Sequence, residues 1–224
     1  MTILAIVPTQ REFEALVGVF SETGVETLER TIGRVSALEC YGGSILVSQG
    51  GLGKAQTALV TQHIIDHWEG ISLVVCAGSA GALLDALAVG DVVVATATIE
   101  HDFKSWIPGR PLPLFKVDAK SLSSLKTANR IRRHSFQVKF GPIASGDETV
   151  VNLDKAAQVR AATGAFAVAW EGAGAARACE FSGVPFLEVR GMTYSANQLP
   201  EDFVATTHSA MRSVAYILEQ LSNF

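Results

Sequence analysis

Leu73-Val74-Val75-Cys76-Ala77 is apolar at every position and runs directly into Gly78-Ser79-Ala80-Gly81. A strand with one solvated face alternates apolar and polar residues. A continuously apolar strand needs both faces covered, which calls for helices on either side of a sheet. The small residues that follow read as a turn leaving the strand, where backbone amides can approach a ligand closely. About ninety residues later a second apolar strand, Ala165-Phe166-Ala167-Val168-Ala169, gives way to Trp170-Glu171-Gly172-Ala173-Gly174. It places one carboxylate at a strand end beside a small-residue helix.

The rest of the chain repeats this alternation. Residues 2–7 form a short apolar run closed by Pro8, and residues 10–20 carry Phe13, Leu16, Val17 and Phe20 at helical spacing. Strands are expected at 34–40 and 44–48, joined by a hairpin turn at Gly42-Gly43. A helix at 54–68 follows the glycine-rich turn 50–53. Further strands fall at 73–77, 92–95, 137–143, 166–169 and 185–189, and helices at 119–128, 153–161, 172–181 and 201–221. Residues 103–115 hold Pro108, Pro111 and Pro113, which makes them a loop long enough to contact a substrate or a second subunit. The pattern is that of an α/β protein: three αβα layers around a central mixed, mostly parallel sheet. At 224 residues with no linker composition, 1–224 is expected to be a single domain.

Composition narrows the partners. A net charge of −4 argues against nucleic acid or an anionic membrane surface, and the most basic stretch, Arg130 to His134, reads as a solvated helix end. No apolar run reaches membrane-spanning length, and no basic, apolar leader opens the chain. Cys40, Cys76 and Cys179 are odd in number and irregularly spaced, so free thiols in a reducing, cytoplasmic setting fit better than disulfides. His63 and His67 share a helix face but lack a third ligand, so no metal is expected.

Four places carry chemistry. Gly50-Gly51-Leu52-Gly53-Lys54 has either free amides for an anion or merely a tight strand-to-helix turn. Ser79 either holds a ligand or caps a helix, and it lacks the flanking pattern of a nucleophile elbow. Glu171 and Arg190 end successive strands, and in open α/β sheets ligands bind beyond the carboxyl ends of strands. The two charges can pair and grip a diol, or form a structural ion pair. Glu12, in the first turn of its helix, is favoured by the helix dipole alone.

These motifs, in order, resemble the methylthioadenosine/S-adenosylhomocysteine nucleosidases of the nucleoside phosphorylase superfamily. The resemblance runs through Ile6-Val7-Pro8-Thr9-Gln10-Arg11-Glu12, Gly51-Leu52-Gly53-Lys54, Gly78-Ser79-Ala80-Gly81 and Gly90-Asp91-Val92-Val93-Val94. It continues through Ser145-Gly146-Asp147, Trp170-Glu171-Gly172-Ala173 and Val184-Pro185-Phe186-Leu187-Glu188-Val189-Arg190.

The resemblance implies a homodimeric nucleosidase that hydrolyses the N-glycosidic bond of a nucleoside without a cofactor. Glu12 would act as base toward water, and Ser79 would help place that water. Glu171 would hold the ribose hydroxyls with Arg190 orienting it, and Trp170 would replace a Met against the sugar. Gly81, Thr149 and Val150 would complete the substrate-binding set. Phosphorylases of this superfamily carry an Arg three residues before the turn serine. Cys76 stands there, leaving a phosphate dianion poorly neutralised.

The base pocket departs from the family pattern. Tyr194 occupies the place of an Asp that protonates the purine, and tyrosine, with a reference pKa of about 10, is a weaker acid. Asn197 is near enough to contribute an amide, as in the futalosine hydrolases. Thr149 stands where an aromatic residue stacks on the base. A phosphorylase and a catalytically silent nucleoside-binding protein are therefore the competing expectations.

Overall fold

In the computed structural model, which describes residues 2–131, 135–195 and 203–223, alternation along β1 (Thr2–Val7) sets the layers. Ala5 and Val7 enter one core with Val75 and Ala77, whereas Leu4 and Ile6 enter another with Val74 and Cys76. Side chains on a strand alternate between faces, so each core faces its own helical layer. The first is covered by α1 (Gln10–Thr23), α3 (Ala119–Ile131) and α6 (Phe203–Ser222) through Leu16, Phe20, Leu125 and Met211. The second is covered by α2 (Gly53–His67) and α5 (Gly172–Ser182) through Ile64, Ala173, Ala176 and Cys179. The α4 helix (Leu153–Thr163) packs Val159 against Ala144 and Val168.

The sheet is mixed, as expected. On one side β1 pairs in parallel with β4 (Ile45–Gln49), which continues antiparallel through β3 (Val35–Cys40) to β2 (Thr27–Ile32). On the other side β1 pairs in parallel with β5 (Ile71–Ala82), and β5 with β10 (Phe186–Ser195). β10 also pairs with β6 (Val92–Glu100), which leads through β8 (Val138–Ser145) and β9 (Ala167–Ala169) back to β5. Five strands thus close on themselves while four extend as an open sheet. The 3₁₀ turn at Tyr41–Gly43 joins β3 to β4, with Gly42 and Gly43 both at positive φ, as a glycine hairpin turn requires.

Three expectations are corrected. Gly78-Ser79-Ala80-Gly81 is not a turn: β5 continues to Ala82 because β10 pairs with it through Gly78, Ser79, Ala80 and Gly81. For the same reason β10 runs past Val189 to Ser195, so Arg190 lies within a strand rather than at its end. Ser79 therefore caps no helix. Two short elements go beyond the sequence pattern: β2, whose outer edge is solvated, and β7 (Leu114–Lys116), which pairs with β6 at the end of the proline-containing loop.

Candidate functional site

Parallel pairing aligns Ile6 with Cys76 and Arg190 with Gly78, so the carboxyl-terminal halves of β1, β5 and β10 lie side by side. Glu12, Glu171 and Arg190 reach this edge from α1, from the entry to α5 and from β10. All three are buried: Glu12 is 5% exposed, Glu171 4% and Arg190 0%. Buried charges persist only when paired or hydrogen-bonded, and each has its partners.

Glu12 is the third residue of a capping box. The Thr9 amide and hydroxyl donate to its Oε2 at 2.9 and 2.6 Å, and its own amide donates to Thr9 Oγ1. Its Oε1 accepts a 2.5 Å hydrogen bond from the Ser79 amide. Thr-x-x-Glu before an apolar-periodic helix is legible in the sequence, and Thr9 is a site residue that reading for catalytic motifs alone overlooks.

Arg190 distributes its guanidinium among four acceptors. Nη1 lies 3.2 Å from Glu171 Oε2 and donates to the Ser79 carbonyl; Nε donates to Glu188 Oε1 at 2.9 Å; Nη2 donates to Cys76 Sγ. The expected Glu171–Arg190 pair is therefore present, with Glu188 as a second carboxylate that sequence reasoning missed. Gly78 has no side chain where Arg190 Nη1 and Glu12 Oε1 converge: a Cβ there would lie 2.7 and 2.9 Å from them.

The small residues of α5 serve a close helix crossing. A Cβ on Gly174 would overlap the Lys54 carbonyl, so only glycine lets α2 and α5 approach this nearly. The approach brings the Gly53 amide to within 3.4 Å of Glu171 Oε1. The Lys54 amide donates to Asp147 Oδ1 at 2.9 Å, and Lys54 Nζ pairs with Glu100 and Asp102. Amides at the start of α2 thus bind the protein's own carboxylates. Of the two readings of Gly50-Gly51-Leu52-Gly53-Lys54, the strand-to-helix turn is the one observed.

A cavity of about 210 Å³ opens at this edge. Glu12, Glu171, Ser79, Gly81, Thr149, Val150, Trp170 and Tyr194 all line it, and so does Thr207 from α6, which sequence reasoning missed. Arg190 stands behind Glu171, and Asn197 lies outside the described residues. The Tyr194 ring packs over Gly81, where a Cβ would lie 2.8 Å from two ring carbons. Ser145 Oγ donates to the Trp170 carbonyl and accepts from the Ala173 amide, fixing the chain on both sides of Glu171.

The profile of the phosphorylase superfamily matches residues 2–223. The chain belongs to this superfamily. The 5'-methylthioadenosine/S-adenosylhomocysteine nucleosidase of Staphylococcus haemolyticus is 31% identical over 187 residues, covering 79% of this chain and 80% of the relative. That of Actinobacillus succinogenes is 32% identical over 195 residues, covering 82% and 81%. The Neisseria meningitidis enzyme of the same name, in complex with methylthio-immucillin-A, superposes with a TM-score of 0.86 at 28% identity, covering 100% of this chain and 99% of that one. The futalosine hydrolase of Helicobacter pylori shares the fold, with a TM-score of 0.83 at 23% identity.

Within this member of the phosphorylase superfamily, the electrostatics follow from burial. Burial pushes the Glu171 carboxyl up to about 7; Arg190 opposes that rise, and the Glu12 and Glu188 charges add to it. Burial works against the Arg190 charge, but Cys76, Glu188, Glu171 and Glu12 more than offset it and hold the guanidinium protonated. Burial also raises the Tyr194 phenol, making it a poorer acid than a free tyrosine.

Proposed function

We propose that the cavity binds a nucleoside with its ribose diol against Glu171 and its anomeric carbon facing a water held by Glu12. The enzyme is a nucleosidase: it hydrolyses the N-glycosidic bond of a nucleoside-like substrate to free base and ribose derivative. The observation that carries the site reading is the convergence of two buried carboxylates, Glu12 and Glu171, on one cavity, one tied to Ser79 and the other to Arg190.

In this mechanism the glycosidic bond lengthens and the ribose gains oxocarbenium character. The Glu171 carboxylate accepts from the ribose hydroxyls and stabilises that charge. Glu12, oriented by Thr9 and Ser79, accepts the proton of the attacking water. The base departs with the electron pair of the broken bond, takes a hydrogen bond from Tyr194 or Asn197 and gains a proton from solvent, while Glu12 returns the proton of the attacking water to solvent. Trp170 covers the sugar, and Thr149 and Val150 flank the base. A purine-type or modified base fits the relatives' printed names, with Tyr194 shifting recognition away from carboxylate-assisted adenine.

Phosphorolysis has less support, because Cys76 accepts from Arg190 and the α2 amides are taken by protein carboxylates. The homodimer that the family resemblance implies is part of this proposal. Three free, buried thiols fit a reducing cytoplasm, and among the described residues no helix is long and apolar enough to cross a membrane.

Free base released from a nucleoside panel, with and without phosphate, tests the reading against a Glu12→Gln control. Release without phosphate that is lost in the control supports hydrolysis. Strict phosphate dependence would make the protein a phosphorylase, and saturable binding without release a silent binding protein.

A further inference from the structure

Glu188 is fully buried, lines no part of the cavity and still makes the shortest ion pair with Arg190. Its Oε1 accepts from Arg190 Nε at 2.9 Å, and its Oε2 accepts from the Thr98 hydroxyl of β6. Gly172, the first residue of α5, has no side chain where this carboxylate sits; a Cβ there would overlap both oxygens. The fold has thus made a specific place for a second carboxylate on the arginine that orients Glu171. A hydrophobic residue between Leu187 and Val189 would carry a lower desolvation cost.

We propose that Glu188 is a positioning residue for Glu171: it supplies the main counter-charge to Arg190, so that the guanidinium aims Glu171 without fixing it as a carboxylate. The inference deepens the proposed role of Glu171 as the diol-binding group and rests on it for its catalytic consequence.

The surrounding charges make the case. Facing Glu171 are Arg190 on β10, Glu12 on α1 and Glu188 on β10, with the Gly53 amide from α2. Cys76 on β5 faces Arg190. One cation among three buried carboxylates cannot neutralise all of them. Arg190 reaches Glu188 through Nε at 2.9 Å and Glu171 through Nη1 at 3.2 Å, so its charge is shared, and Glu171 is the member that opens onto the cavity. Burial and these two anionic neighbours push Glu171 up to about 7. Near that point a ligand diol, offering two O–H donors, favours the ionised form and draws it out. Ribose binding then expels a proton to solvent, and the charge appears where the oxocarbenium develops.

The test follows the carboxyl carbon of Glu171 by NMR across a pH titration of the unliganded protein, assigned by its loss in Glu171→Gln. Glu188→Gln keeps a partner for Arg190 Nε but removes the charge, and Glu188→Met fills the space with apolar atoms. Both variants should lower the Glu171 midpoint by about one unit, and Glu188→Asp should restore most of the original value. The acid limb of kcat/KM should move with it, and calorimetry in two buffers should show less proton release on nucleoside binding. An unchanged Glu171 midpoint in whichever of the two neutral variants folds overturns the proposal. A lowered midpoint in Met alone, with Gln unchanged, overturns it too, because packing rather than charge would then be responsible. The NMR titration needs no turnover. A protein that hydrolyses no nucleoside yet shows the shift would sink the functional reading and leave the role of Glu188 standing.

Discussion

The Ser79 amide donates a 2.5 Å hydrogen bond to Glu12 Oε1, joining the first turn of α1 to the carboxyl-terminal half of β5 across 67 residues of chain. The other oxygen of Glu12 is held by Thr9, so the carboxylate is locked from both sides. A carboxylate this constrained is pre-oriented toward the cavity it lines. Glu12→Gln keeps the shape but places an amide where a base is needed. Hydrolysis should fall about a hundred- to ten-thousand-fold, while nucleoside affinity measured by calorimetry changes only a few-fold. Equal losses of affinity and rate would mean that Glu12 holds substrate rather than water.

Gly78→Ala tests the convergence of Glu12 and Arg190 without touching either. The new methyl would lie 2.7 Å from Arg190 Nη1, 2.9 Å from Glu12 Oε1 and 2.9 Å from Pro8 Cδ, so something must shift. Overpacking of this kind costs about 1–3 kcal/mol. Denaturant unfolding should report that loss, and activity should drop nearly as far as in Glu12→Gln. An active, fully stable Gly78→Ala variant would show that the two groups need not converge.

Gly81→Ala pushes against the Tyr194 ring, 2.8 Å from the added atom. Because Gly81 and Tyr194 both line the cavity, KM should rise several-fold more than kcat falls. Tyr194→Phe, which keeps the ring and removes the hydroxyl, should do the reverse if the phenol assists the departing base. Steady-state kinetics of the two variants separate shape from hydrogen bonding.

The pH dependence follows from Glu171. Its folded pKa of about 7 lies above the ordinary value of 4.5 because burial disfavours the charge. A raised carboxyl contributes stability that is present in full below the unfolded value and lost as pH rises through the folded one. Thermal unfolding should therefore show Tm declining between about pH 4.5 and 7, with a shallower slope in Glu171→Gln. Activity runs the opposite way. The diol needs the carboxylate, so kcat/KM should rise with pH to a midpoint near 7. A profile flat from about pH 5 to 8 would remove Glu171 from that role.

Much of the architecture is legible in the sequence, because it rests on local periodicity. The apolar run at 73–77, the helical spacing of Phe13, Leu16, Val17 and Phe20, and the Gly42-Gly43 turn each fix an element without reference to anything distant. Glu171 and Arg190 are legible for a related reason: a charge within an apolar strand pattern demands a partner. Glu188 meets the same criterion in the same strand. Its partner lies only two residues along, but that arginine is already matched to Glu171, so the pattern gives no cue to a second carboxylate.

What the sequence by itself determined, then, was which segments become strands and helices, and which residues could not be buried alone. Only the tertiary structure decided where β5 and β10 end, since strand length there is set by each strand's pairing with the other rather than by local propensity. It alone decided that the α2 amides go to Glu171 and Asp147, because that depends on how closely Gly174 lets two helices cross. And it alone brought Glu12, Cys76, Glu188 and Glu171 around one arginine. That electrostatic environment is a sum over residues distant in sequence, and no single segment encodes it.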